Sequence, residues 1–240
     1  WQNSALKINN FDMQILALDT STEFLSLALS LKGRVFSRDI HAGQTHSTQI
    51  LPVLRELLDE AQVSLKELDG IAFGAGPGSF TGLRIACGVA QGLAFASHLP
   101  VVEVSTLEAL AQQSGEQKVI TCLDARMGEV YYAAYIKNGE VWNEVHAPAL
   151  FKPDQVPALT GNDWVGIGTG WTAYGEALQQ AYAAQLKTAP LTENVHPTAV
   201  AIAELALPLF AAGKAKAAHE VAPIYIRNKV ALKTSERAAK

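Results

Sequence analysis

Residues 71–97 read IAFGAGPGSFTGLRIACGVAQGLAFAS, and this stretch decides the fold. A short apolar run at 71–73 is broken by Gly74, Gly76, Pro77 and Gly78, and Ser79 or Thr81 supplies a hydroxyl able to cap a helix. The spacing predicts that helix over 80–97. Gly82, Ala86, Ala90 and Ala94 recur every four residues, and Gly88, Gly92 and Ala96 form an adjacent stripe, so two sides of the helix carry almost no bulk. A glycine inside a helix costs roughly 0.5–1 kcal/mol relative to alanine, which close approach of another element can offset. The stretch reads as strand, glycine-rich turn and a helix built to be packed against.

Working outward, residues 15–18, 25–31 and 35–40 read as three strands joined by tight turns, and 46–61 as a helix with Ile50, Leu54, Leu57 and Ala61 on one face. A strand at 101–104 and a helix at 106–113 follow, giving βββαβαβα. The order then restarts. Residues 15–35, ILALDTSTEFLSLALSLKGRV, match residues 120–141, ITCLDARMGEVYYAAYIKNGEV, once a single inserted residue is allowed. In each an apolar strand ends in an aspartate, Asp19 or Asp124, a polar turn holds Glu23 or Glu129, and a second strand ends near a Lys and a Gly. A short helix is expected at 152–159, a strand at 164–167 running into a second glycine run, and helices at 173–184 and 198–211. The duplicated unit implies two α/β lobes, 13–115 and 116–227, with a cleft between them.

The chain of 240 residues is 49% hydrophobic, enough for a real core. Its net charge of −4 announces no general affinity for nucleic acid, and no apolar run approaches the ~20 residues of a membrane span. Cys87 and Cys122 lie in apolar segments without metal-binding spacing, as buried thiols of a reducing, cytoplasmic compartment would. Residues 1–12 are expected to be a leader foreign to the natural chain, which would start at Met13. Residues 228–240 form a basic tail.

Two readings of the paired aspartates stand. Asp19 and Asp124 could face each other across the cleft and bracket a magnesium-bound phosphate, with Gly76, Gly78 and Ser79 lending backbone amides. Alternatively they are turn residues satisfying local amides, and the glycines serve tight turns and close packing. The glycine runs match neither a Walker loop nor a dinucleotide fingerprint. None of the six histidines has HxxxH spacing, so no metal site is expected.

The segments ILALDTSTEFLSLAL, HSTQILPVLRELL, FGAGPGSFTGLRIACGVAQGLAFA, LDARMGEVYYAAY and PIYIR resemble the TsaB (YeaZ) family across nearly all of 13–227. The chain departs from the family run only in Ala86-Cys87-Gly88, where a glycine commonly comes sooner. The resemblance implies an actin-like, ribonuclease-H-like (ASKHA) α/β fold of two βββαβα lobes. It further implies a non-catalytic scaffold in bacterial synthesis of N6-threonylcarbamoyladenosine (t6A) at position 37 of tRNAs reading codons that begin with A. Such a scaffold forms a heterodimer with the transferase TsaD, stabilises it, helps recruit the ATPase TsaE into a ternary complex, and meets tRNA and the adenylate-forming TsaC only indirectly. TsaD carries a metal-binding His-x-x-x-His where this chain has Thr106 and Leu110. The family pairs its first two long helices with those of TsaD, so the interface is expected at Gln49, Ile50, Val53 and Leu57 of one helix and Thr81, Arg84, Gly88, Gly92 and Phe95 of the other. A homodimer is expected of the chain alone. No cofactor is required, although ATP or ADP could sit at the partner boundary. Two other functions compete: an actin-like ATPase or phosphotransferase using Asp19 and Asp124, and a metallopeptidase of the glycoprotease group.

Overall fold

Side-chain alternation along the first strand divides the molecule into layers, with Ile15 and Ala17 in one core and Leu16 and Leu18 in another. The computed structural model describes residues 13–190 and 195–227, so the leader at 1–12 and the tail at 228–240 lie outside the described residues. β1 (Gln14–Asp19), β2 (Phe24–Leu31) and β3 (Arg34–His41) form an antiparallel meander. β4 (Gly70–Gly76) lies parallel beside β1, and β5 (Val101–Ser105) parallel beside β4, giving the order β3-β2-β1-β4-β5. The second sheet repeats this plan with β6 (Lys118–Asp124), β7 (Val130–Asn138), β8 (Val141–Phe151) and β9 (Val165–Ile167) in the order β8-β7-β6-β9. The sequence repeat is thus a structural one, and among the described residues the second sheet stops one strand short.

Helices α1 (His46–Ala61) and α2 (Phe80–Ser97) cover the outer face of the first sheet, where Ile50, Leu54, Leu57, Ala86 and Ala90 close over Leu16, Leu27 and Phe73. α3 (Thr106–Gln113) and α5 (Ala199–Ala211) lie between the two sheets, and α4 (Thr169–Ala181) covers the outer face of the second. Small side chains make the middle layer thin. Ala17, Ala28 and Ala72 of the first sheet meet Ala199, Ala203 and Ala206 of α5, while the Phe210 ring occupies the space where Gly70 lacks a Cβ.

Three expectations change. The helix at 152–159 does not form: Pro153 and Pro157 stand four residues apart, and the backbone makes only a turn before Leu159 enters the core. The helix expected at 173–184 starts four residues earlier and bends at Tyr174, whose φ of −133° and ψ of 30° interrupt it. The boundary at residue 115 separates the sheets but not the helices. From residue 199 the chain returns to the first lobe, where α5 packs on β1, β2, β4 and β5 and Lys216 bridges to Val101.

Candidate partner-binding face and inter-lobe cleft

The two sides of α2 have opposite fates. Gly82, Ala86, Ala90 and Ala94 are buried, and a Cβ on Gly82 would stand 1.8 Å from the Thr20 carbonyl oxygen. That glycine lets the helix start sit directly on the turn after β1. Thr81, Arg84, Gly88, Gly92 and Phe95 are all exposed and follow one another at spacings of three and four, which places them on one outward face. Among the described residues nothing outside the helix stands within 4 Å of where a Cβ on Gly88 or Gly92 would be, and Phe95 is 79% exposed.

α1 corrects half of the expected interface. Ile50, Val53 and Leu57 are 1%, 7% and 0% exposed and belong to the core beneath the helix. Gln49 is half-buried and donates to the Thr45 hydroxyl at 2.6 Å. The apolar stripe of α1 faces inward, and its outer side presents Leu51, Pro52, Arg55 and Glu56 instead.

A cleft of about 1120 Å³ separates the lobes, with Ser21, Glu23 and Ser79 on one side and Asp124, Arg126 and Arg227 among the rest of its wall. The paired aspartates do not face each other across it. Asp19 lies beneath the cleft wall at 1% exposure, covered by Ser21, whose N–H and hydroxyl both donate to Oδ1 at 2.9 and 2.8 Å. Its Oδ2 is buried without a hydrogen-bond partner, beside Gly74, where a Cβ would stand 1.9 Å away. Burial pushes the Asp19 carboxyl up to about 7, outweighing the Ser21 hydrogen bonds. Asp124 does reach the cleft. Its Oδ1 accepts from the Arg126 N–H at 2.8 Å and the Tyr174 hydroxyl at 3.2 Å, and its Oδ2 pairs with the Arg126 guanidinium at 3.2 Å.

The glycine turn is likewise committed to its surroundings. The Ser79 N–H donates to the Ser21 carbonyl, the Ser79 hydroxyl caps α2 by accepting from the Gly82 N–H, and a Cβ on Gly78 would meet Ser21 at 2.6 Å. Gly76, at φ +129°, lies under the Ile224 carbonyl. In the second run, Gly166 fits against Trp171 and Gly168 and Gly170 against Cys122. With one carboxylate sealed and the other paired with Arg126, the two aspartates do not form a facing pair across the cleft. At the two positions set against the expected His-x-x-x-His, Thr106 donates to the Pro77 carbonyl and Leu110 is fully buried. Among the described residues no group of three or more His, Cys, Asp or Glu could hold a metal ion, and no helix is long and apolar enough to cross a membrane.

Residues 221–227 carry contacts that periodicity could not reveal. Tyr225 accepts from Arg84 Nε at 2.9 Å, and Arg227 reaches Glu129 in the other lobe. The only signal in the sequence is the run PIYIR itself.

Two matching α/β lobes, each opening with a three-strand meander and separated by a cleft, define a protein of the actin-like (ASKHA) class. A family model described as TsaD, tRNA N6-adenosine threonylcarbamoyltransferase, matches residues 40–234. The chain is 39% identical over 231 residues to the tRNA threonylcarbamoyladenosine biosynthesis protein TsaB of Escherichia coli (strain K12), a match covering 92% of this chain and 97% of that one. It is 36% identical over 235 residues to the TsaB of Haemophilus influenzae, covering 92% and 97%. Among solved structures, YeaZ from Pseudomonas aeruginosa superposes with a TM-score of 0.78 at 39% identity, covering 89% of this chain and 99% of that one. The chain belongs to the TsaB (YeaZ) family.

Proposed function

We propose that this chain serves t6A synthesis in tRNA as a non-catalytic subunit that binds and stabilises a TsaD-type transferase through the outer face of α2. The observation that carries the reading is the open space at Gly88 and Gly92. Two glycines in mid-helix cost about 1–2 kcal/mol together, and among the described residues no other element comes within 4 Å of the room they leave. A second helix crossing there could approach closely, with Phe95 and Leu51 adding exposed apolar area beside it. The commitment of Asp19, Asp124, Thr106 and Leu110 to internal contacts supports a subunit that works by assembly rather than by chemistry. In this reading TsaE joins the assembled pair in the cytoplasm, and tRNA and TsaC are met only through that assembly.

Light scattering on the chain alone, and on its mixture with the TsaD of the same organism, tests this. A self-associated chain should convert to a mixed complex, and Gly88→Trp should remain folded while losing both associations by at least about tenfold. A folded Gly88→Trp variant that still binds TsaD normally, or a wild-type chain indifferent to TsaD, would overturn the proposal.

A further inference from the structure

After α5 the chain crosses from the outer face of the first lobe to the lip of the second. The Val221 carbonyl accepts from Gln91 Nε2 at 3.0 Å, the Ala222 N–H donates to Glu103 at 2.8 Å, and the Ile224 N–H donates to the Ala75 carbonyl at 2.7 Å. Tyr225 then meets the outer face of α2. Its hydroxyl accepts from Arg84 Nε, its ring lies 5.3 Å from that of Phe80, and the Arg84 guanidinium stands 3.6 Å above the Phe80 ring. Two residues later Arg227 forms an ion pair with Glu129 and reaches the Arg126 carbonyl and the Met127 sulfur, both at 3.4 Å.

The turn that Arg227 holds is unusual. Arg126, Met127 and Gly128 have φ of 61°, 60° and 79°, three consecutive residues in the left-handed region, of which only the glycine occupies it without cost. Such a backbone persists where its surroundings over-determine it, and Arg227 touches Arg126, Met127 and Glu129 at once. The same turn presents Arg126 across the cleft, 3.5 Å from Glu23 in the β1–β2 turn.

We propose that residues 221–227 are a latch between the outer face of α2 and the lip of the cleft. Tyr225 clamps one end on Arg84 and Phe80, and Arg227 at the other sets the turn that joins the lobes through Arg126 and Glu23. Local opening at either end propagates to the other through Ile226, on a strap anchored just upstream by the Ile224 and Ala222 amides. The latch belongs to the chain alone. Its consequence, that a partner seated on Arg84 reaches the cleft lip, rests on the reading of α2 as a docking face.

Hydrogen exchange by mass spectrometry on the full chain without any partner tests the latch apart from that reading. Tyr225→Phe removes only the hydroxyl that Arg84 meets, and Glu129→Gln removes only the charge that Arg227 meets. Each should accelerate exchange at least about threefold in both 221–227 and 125–129, and the double variant should add little to the larger single effect. Exchange confined to the segment carrying the substitution, or effects that simply add, would overturn the latch. If Glu129→Gln raises exchange throughout, β1 included, Arg227→Lys replaces it. Lysine keeps the charge but cannot span the carboxylate and the carbonyl together, so its effect must appear at Tyr225 as well as at 125–129, or the latch is wrong.

Discussion

The turns after β1 and β6 are copies that have come to opposite ends. In both, an aspartate at the end of the strand accepts a hydrogen bond from the backbone N–H two residues on, Ser21 to Asp19 and Arg126 to Asp124. In the first lobe Gly78 and Gly82 bring the start of α2 down onto Thr20 and Ser21, sealing the carboxyl with no hydrogen-bond partner for Oδ2. In the second lobe Arg126 swings back as counter-ion and the turn stays open to the cleft. The difference teaches that the repeated aspartate is part of the turn's architecture, and that what packs over it sets its electrostatics. Glycines divide in the same way. Gly82 and Gly168 each lie so near a backbone carbonyl that no side chain fits, at Thr20 and Cys122 respectively, whereas Gly88 and Gly92 face open space.

The largest expected effect breaks the sealed turn. Gly82→Val places a Cβ about where the Thr20 carbonyl oxygen already stands, with backbone on both sides of the conflict. The variant should lose at least about 3 kcal/mol or fail to fold. Gly88→Val, six residues along the same helix, should unfold at a temperature within about 3 °C of wild type. Thermal denaturation of the pair decides the matter, and equal losses would mean that the outer stripe is not free.

The next effect separates the two aspartates by pH. Asp19 stands at about 7 when folded, against an ordinary 3.8 when unfolded, so between those values the folded chain holds a proton that the unfolded chain has released. Stability therefore falls as pH rises from about 4 to about 7 and then levels. Asp19→Asn keeps the oxygen that Ser21 uses and removes the charge, so it should flatten this slope and raise the melting temperature at pH 8 by on the order of 5 °C. Asp124→Asn, which removes only the carboxylate that the Arg126 guanidinium meets, should cost up to about 1 kcal/mol. Melting curves at pH 5 and pH 8 compare them; an unchanged slope in Asp19→Asn would show that the carboxyl is not sealed.

Much of the fold was legible in the chain and less of the site was. Period-two alternation, the hydroxyl at Ser79 and the repeated strand-Asp-turn signature mark β1 to β7 and α1 to α3, because each rests on local chemistry. The return of α5 to the first lobe was hidden, since a run such as AVAIAELALPLFA says that a helix is buried without saying between which sheets. Ile50, Val53 and Leu57 were misassigned to an interface for a similar reason: an apolar stripe marks the side that leaves water, and on α1 that side is the chain's own core. The burial of Asp19 depends on Gly74, Gly78 and Gly82 converging in space, which no spacing along the sequence encodes.

The smallest expected effect sharpens the comparison most. Gly92→Ala adds a methyl group where, among the described residues, nothing outside the helix stands within 4 Å, in the interior of a regular helix. If the outer stripe has no role within the chain, the substitution should stabilise the isolated protein by about 0.5–1 kcal/mol through lost backbone freedom in the unfolded state. Chemical denaturation of the chain, measured at a concentration low enough to keep it from self-associating, reads that gain directly. The same methyl group in an assembly would stand between two closely crossing helices and weaken it. A variant more stable alone and less able to associate would tie the open glycines to a partner, whereas one less stable alone would show that the chain itself uses the space at Gly92.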